Sequence, residues 1–224
     1  MNVLAIYGNP KSGGFVHGCI DALADRLTER GATVERLHLR DAGIDDCGGC
    51  FTCLRTGRCV LDDDVNDICR RMREADGFVI GCSVRNGNVT ALYKRFFERF
   101  TYPLVFTGDL HGKYVLSVSA VGMMGGRGLT KKLLGLAGSG AYPVDHLFFK
   151  TGIPTSQAPA DVSDKLSGAA DRMLECCRRG WRPGPLWRLG RRIDRAVMTR
   201  LLFRKQPDLY ANVIARYRER GWMD

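Results

Sequence analysis

Cys47, Cys50, Cys53 and Cys59 fall within one short stretch, with Gly48, Gly49 and Gly57 interspersed. Four thiolates so closely spaced can converge on one centre, and the small residues between them let the backbone wrap it. Three of the cysteines follow one another at two-residue gaps, a spacing that favours a cubane [4Fe-4S] cluster. Structural zinc sites more often present two Cys pairs divided by a longer spacer. Zinc, and free or redox-paired thiols, remain open readings of the same spacing. Cys19, Cys69 and Cys82 lie on apolar faces and are expected as small core residues, while Cys176 and Cys177 close a helix. His17, His38, His111 and His146 show no ligand spacing to one another or to the cysteines. Asp62 to Asp64 is expected to cap a helix, and the chain has no nucleophile elbow, so no catalytic acid-base residue is assigned.

Three other stretches suit a phosphate and a flat ring. The first is Gly8-Asn9-Pro10-Lys11-Ser12-Gly13-Gly14, between an apolar run and a helical pattern. Its glycines let backbone N–H groups approach an anion at a helix N-terminus, and Lys11 and Ser12 add donors. It is neither a Walker A loop nor a Gly-x-Gly-x-x-Gly fingerprint. The second is Ser83-Val84-Arg85-Asn86-Gly87-Asn88, and the third runs from Gly122 through Gly125 and Gly126 to Gly128. Glycine-bearing loops are also ordinary turn material. If all three leave one edge of a sheet, they form a pocket with the shape of a flavin mononucleotide (FMN).

The elements that must position these loops follow from apolar periodicity. Short apolar runs at Asn2–Tyr7, Val34–Leu39, Phe78–Cys82, Tyr114–Val121 and Val144–Phe149 are expected strands. Helical patterns lie between and after them: Val16–Arg30, a helix opened by Asp62–Asp64 and ended by Arg70–Arg73, Ala91–Phe100, the surroundings of Leu129–Leu136, and Val162–Cys177. Alternating strands and helices predict an α/β fold with a parallel sheet covered on both faces, and five such units fit, by analogy, the flavodoxin-like doubly wound order 2-1-3-4-5. A domain over residues 1–177, holding the cysteine loop 47–59, is expected to be followed by a basic helical extension over 178–224. In the extension Leu186–Phe203 is an amphipathic stretch, and a last helix spans Pro207–Arg220.

The 224 residues are 45% hydrophobic and 26% charged, ordinary values for a folded globular chain. The net charge of +10 is not spread evenly: residues 1–177 carry 21 basic and 20 acidic side chains, and residues 178–224 carry 13 and 4. Basicity confined to the tail argues against a nucleic-acid footprint across the domain. The stretch 186–204 has three readings: an arm packed on its own domain or on a partner subunit, a contact with an anionic membrane surface, or a dock for an acidic electron carrier. The N-terminus lacks the basic flank and length of a secretory signal, so a cytoplasmic location is expected.

The run Cys47–Cys59 followed by Val60-Leu61-Asp62-Asp63-Asp64, then Ala75-Asp76-Gly77-Phe78-Val79-Ile80 and Lys94-x-Phe96-x-Glu98-Arg99, resembles the iron-sulfur flavoprotein branch of the NADPH-dependent FMN reductase-like, flavodoxin-fold proteins. The resemblance covers about residues 1–176 and implies a flavodoxin-like fold, FMN, a [4Fe-4S] cluster and a homo-oligomer. It implies electron transfer between a donor, such as a ferredoxin-like protein or NAD(P)H, and a small acceptor such as a quinone or an oxygen species. Carried over by position, Cys47, Cys50, Cys53 and Cys59 match the cluster ligands; Asn9, Pro10, Lys11 and Gly13 lie in the phosphate loop, Val84, Gly87 and Asn88 in the second flavin loop, and Gly122, Gly125 and Gly126 in the third. Two departures stand out. Gly8-Asn9-Pro10-Lys11 replaces the usual Gly-Ser-Pro-Arg, and Ser83-Val84-Arg85 replaces Pro-Val-Tyr.

Overall fold

The computed structural model describes every residue except Ala137. Five parallel strands, β1 (Asn2–Tyr7), β2 (Thr33–His38), β3 (Gly77–Ser83), β4 (Tyr114–Val121) and β5 (Tyr142–Lys150), pair in the order β2-β1-β3-β4-β5. This is the doubly wound order expected by analogy for five alternating strand-helix units. Helices α1 (Phe15–Glu29) and α6 (Ser163–Arg178) cover one face, burying Ile20, Leu23, Leu27, Leu166 and Met173 against Val3, Ala5 and Val118. Helices α3 (Val65–Glu74), α4 (Ala91–Phe100) and α5 (Arg127–Leu134) cover the other, burying Ile68, Phe96, Phe100 and Leu134 against Leu4, Ile6 and Ile80. Burial on both faces explains why β3 and β4 are apolar runs rather than alternating patterns.

β5 begins two residues before the predicted Val144. It takes in Pro143, but β5 is an edge strand, and the register against β4 shifts between Val115 and Leu116 opposite Pro143. An edge strand with a local irregularity tolerates a residue that cannot donate to the ladder. The expected cap at Asp62–Asp64 takes a different form. Asp64 stands at the N-cap of α3, yet its carboxylate makes no side-chain cap bond and accepts instead from the Gly43 N–H at 2.7 Å. Asp63 takes the capping part, accepting from the Val65 N–H at 3.2 Å.

Helix α4 holds the sheet edge to the loops above it. Thr90 accepts from the Tyr93 N–H at 3.1 Å as its N-cap, and its hydroxyl also donates to the Gly8 carbonyl at the end of β1. Gly8 has to be glycine there, because a Cβ would sit 2.9 Å from both Cys82 Cβ and the Gly81 carbonyl oxygen.

Beyond α6 the chain forms α7 (Pro185–Met198), a wide turn over Thr199–Phe203, and α8 (Ala211–Glu219). Phe203, Tyr210, Val213, Ile214 and Tyr217 make a third apolar cluster that closes over Leu54, with Tyr102 and Phe106 at its margin. The second part of the basic tail therefore packs on its own chain. No helix among the described residues is long and apolar enough to cross a membrane.

Candidate functional site

The cysteine segment follows β2 at the carboxyl edge of the sheet, after a single turn at Leu39–Asp41, and has no regular structure until a short helix that the periodicity does not reveal, α2 (Thr52–Thr56). Phe51 at its N-terminus is left-handed (φ 55°), as are Gly49 (φ 68°) and Gly57 (φ 78°). These reversals fold the segment back on itself. Cys47, Cys50, Cys53 and Cys59 consequently line a single cavity of about 140 Å³, together with Phe51, Leu61, Arg99 and Tyr102. Among the described residues, no three His, Cys, Asp or Glu side chains are gathered closely enough to hold a single metal ion. The four thiols surround a space instead of meeting at a point.

The cavity is sulfur-rich and is supplied with donors. Hydrogen bonds from the Thr52 N–H and hydroxyl lower the Cys50 thiol from its ordinary range. Burial pushes the Cys53 thiol up to about 11, with Cys59, Cys47 and Cys50 adding to the shift. Cys59 is clamped from α3, where Asn66 accepts from the Cys59 N–H and donates to its carbonyl, both at 2.9 Å. Arg99 reaches the same cysteine from the end of α4: its Nη2 donates to Cys59 Sγ at 3.2 Å. The Arg99 side chain is 1% exposed and pairs with Asp63, itself 5% exposed, at 2.7 Å. Burial works against the Asp63 carboxylate, but hydrogen bonds from Arg99 and from the Asp45 and Val65 N–H groups outweigh it and hold its pKa below the ordinary carboxylate value. A buried cation anchored by one carboxylate, with a guanidinium N–H left over for a sulfur atom, suits a centre of net negative charge. Four thiolates holding an iron-sulfur cluster make such a centre.

A separate cleft of about 480 Å³ opens at the carboxyl ends of β1, β3, β4 and β5. Of the residues singled out in the sequence, Asn9, Lys11, Gly14, Ser83, Val84, Arg85, Asn86 and Gly122 line it. Pro10, Ser12, Gly13, Gly87, Asn88, Gly125 and Gly126 belong to the same loops without lining it. Gly87 and Asn86 form the left-handed corner of a tight turn, closed by hydrogen bonds between Arg85 and Asn88 of 2.7 and 2.9 Å. Gly126 (φ 79°) lets the third loop pass close to the second, since a Cβ there would lie 2.7 Å from Val84.

Asn9 ties the first loop to the second. Its Oδ1 accepts from the Ser83 N–H at 2.9 Å, and its Nδ2 donates to Ser83 Oγ at 3.2 Å. The two departures noted in the sequence thus complete each other: a proline at position 83 would have no N–H for Asn9 to accept. Arg85 is exposed at the cleft and makes no ion pair among the described residues.

Sequence reasoning missed a fourth wall. Thr151, Gly152, Ile153, Pro154 and Thr155, which follow β5, line the cleft beside Phe15 and Ala120. Their Gly and Pro, directly after a strand on the same edge, were the available signal. Gly122 fits beneath this loop, as a Cβ would fall 2.3 Å from Ile153 Cγ1. The cleft and the cysteine cavity share no lining residue. They lie toward opposite ends of α4, with Thr90 tied to the loop after β1 and Arg99 at the cysteines.

Known proteins are similar to this chain. The family model for NADPH-dependent FMN reductase matches residues 1–152, which contain all five strands and the main loops of both candidate sites. An iron-sulfur flavoprotein of Archaeoglobus fulgidus is 35% identical over 114 residues, 51% of either chain. The chain spans about half the length of the archaeal relatives it matches. An iron-sulfur flavoprotein of Clostridioides difficile is 24% identical over 99% of both chains. Among solved structures, an NAD(P)H:quinone oxidoreductase from Methanothermobacter marburgensis superimposes with a TM-score of 0.62 at 15% identity, covering 76% of this chain and 97% of its own, which shows a shared fold. With the sheet order, the loops at its carboxyl edge and the compact cysteine segment all in place, this chain belongs to the NADPH-dependent FMN reductase family, on its iron-sulfur flavoprotein branch.

Proposed function

We propose that the chain is an FMN-dependent oxidoreductase that holds FMN in the cleft at the carboxyl ends of β1, β3, β4 and β5 and a [4Fe-4S] cluster on Cys47, Cys50, Cys53 and Cys59. It passes electrons between a donor, a ferredoxin-like protein or NAD(P)H, and a small acceptor. The observation that carries this reading is that four cysteines on one segment line a single cavity and that Arg99, buried and paired with Asp63, donates to one of their sulfur atoms. When bound, a flavin takes up two electrons together or one at a time and a cubane passes one, so the pair couples two-electron to one-electron partners.

The chain's own residues supply placement and electrostatics. The first loop offers backbone N–H groups and Lys11 to a phosphate at the start of α1. Arg85, exposed at the rim without a carboxylate partner, places positive charge where a reduced flavin gains negative charge. Phe15 and Ile153 give the cleft apolar walls. No side chain is required as a general acid or base.

Titration of the flavin-free protein with FMN, followed by quenching of flavin fluorescence, tests the cleft assignment. One FMN per chain is expected. In Asn9→Ala the two hydrogen bonds that hold the first and second loops together are lost, and affinity falls by about tenfold, the equivalent of one to two net hydrogen bonds. Unchanged affinity in that variant places the flavin elsewhere.

A further inference from the structure

Helix α7 is turned so that its aliphatic side chains face outward and two of its arginines face the protein. Leu186, Leu189, Ile193, Val197 and Leu201 are 45% to 85% exposed. They follow one another at spacings of three and four, so they form one continuous stripe about 20 Å long. The orientation is held from beneath. The Trp187 ring meets Tyr142 edge-on at 5.9 Å, Arg191 donates to the Gly138 carbonyl, the Arg195 guanidinium lies 4.3 Å above the Trp222 ring, and Met198 packs against the cluster around Phe203. Rotating α7 to hide the stripe would break all four contacts.

Beside the stripe and beyond its C-terminal end stand Arg188, Arg192, Arg200, Arg204 and Lys205. All five are exposed, and none forms an ion pair among the described residues. Asp194, the only acid on α7, is engaged by Arg191 at 2.8 Å. The outer face therefore combines an aliphatic ridge with unneutralised cations.

We propose that this face of α7 seats the protein on an anionic phospholipid bilayer, with the stripe lying in the interface and the arginines and lysine meeting lipid phosphates. Two weak signals together, a short apolar face and a polybasic flank, are what stable attachment of a peripheral helix needs. A second copy of the chain fits less well. A two-fold contact opposes the same patch on both sides, which would bring the unpaired cations of one copy against those of the other. An acidic protein would answer the charge but would leave the aliphatic ridge without a role. The inference stands apart from the assignment of cofactors, because none of these residues lines the flavin cleft or the cysteine cavity.

Flotation of the full-length protein with vesicles tests it. Co-flotation is expected with phosphatidylcholine vesicles containing phosphatidylglycerol, is expected to be lost on pure phosphatidylcholine, and is expected to weaken as salt is raised. Leu189→Ser with Ile193→Ser should abolish it, and Arg188→Ala with Arg192→Ala should weaken it by about tenfold or more. Both double variants should keep the parent's urea midpoint, since all four side chains point to solvent. Failure to bind the anionic vesicles overturns the proposal. So does undiminished binding by the Leu189/Ile193 variant, which would mean that charge alone is responsible. Light scattering that shows the parent as a dimer and that variant as a monomer would assign the stripe to a second copy, and stripe-dependent retention on an immobilised acidic ferredoxin without vesicle binding would assign it to a protein.

Discussion

Arg99→Ala is expected to lower the stability of the cofactor-free protein by about 3–5 kcal/mol, the usual consequence of removing one partner from a buried ion pair. The guanidinium makes three contacts that no neighbour can replace: 2.7 Å to Asp63, 2.5 Å to the Asp45 carbonyl and 3.2 Å to Cys59 Sγ. Its loss leaves Asp63, 5% exposed, as an uncompensated charge that only the N–H groups of Asp45 and Val65 still meet. Urea denaturation at neutral pH measures the difference. The sign of its pH dependence follows from Asp63. Because the carboxyl is held below its ordinary pKa in the fold, its contribution is fully present above about pH 4 and is lost as pH falls through the folded value. In the variant the same carboxyl is buried without its cation and takes up a proton more readily. The gap between parent and variant should therefore narrow as the pH falls from neutrality towards and through about 4. A gap that persists undiminished in acid would place the effect in packing rather than in the ion pair.

Phe203→Ala should have an effect of similar size, about 3–5 kcal/mol, because it removes a fully buried aromatic ring from the cluster beneath the tail. Phe203 lies 5.0 Å from the Tyr210 ring and 5.1 Å from that of Tyr217. The consequence extends to the cysteines. Leu54 of α2 is buried in the same cluster, and Gly57 approaches Asn212 of α8 so closely that a Cβ would lie 2.8 Å from Asn212 Oδ1. The tail is thus the floor on which the cysteine-bearing helix rests. Urea denaturation should show the loss of stability, and limited trypsin digestion should cut more quickly after Arg179, where the connector leaves α6. A variant with parental stability and digestion rate would mean that the tail contributes nothing to the support of α2.

These dependencies mark the boundary of what was legible in the sequence. The sheet was legible because each strand of a two-sided parallel sheet is a compact apolar run, and β4 coincides with its predicted Tyr114–Val121. β5 starts earlier than its predicted Val144 and takes in Pro143, which its edge position allows. Helix α2 escaped because five residues are too few for a helical period to emerge. Three cleft loops were visible from their glycines, and the fourth, Thr151–Thr155, was passed over although Gly152 and Pro154 marked it. The cysteine spacing placed four thiols on one short segment, and in the structure they line one cavity. Arg99 was noticed only as part of a motif. Its partners Asp63, Cys59 and Asp45 lie 36, 40 and 54 residues away in the chain, and no local pattern announces contacts of that range. The stretch 186–204 offered three readings, and the structure divides it: Met198, Leu202 and Phe203 pack into the chain's third apolar cluster, and the outer stripe of α7 does not.

Iron and acid-labile sulfide, determined together with the absorption spectrum on protein purified without oxygen, test the central claim most directly. The account predicts about four irons and four sulfides per chain for a cubane, flavin bands overlaid on a broad brown absorption, and loss of the iron with retention of the flavin in Cys50→Ser and Cys53→Ser. Protein that contains flavin but no iron, or Cys50→Ser protein with the iron content and colour of the parent, would contradict it.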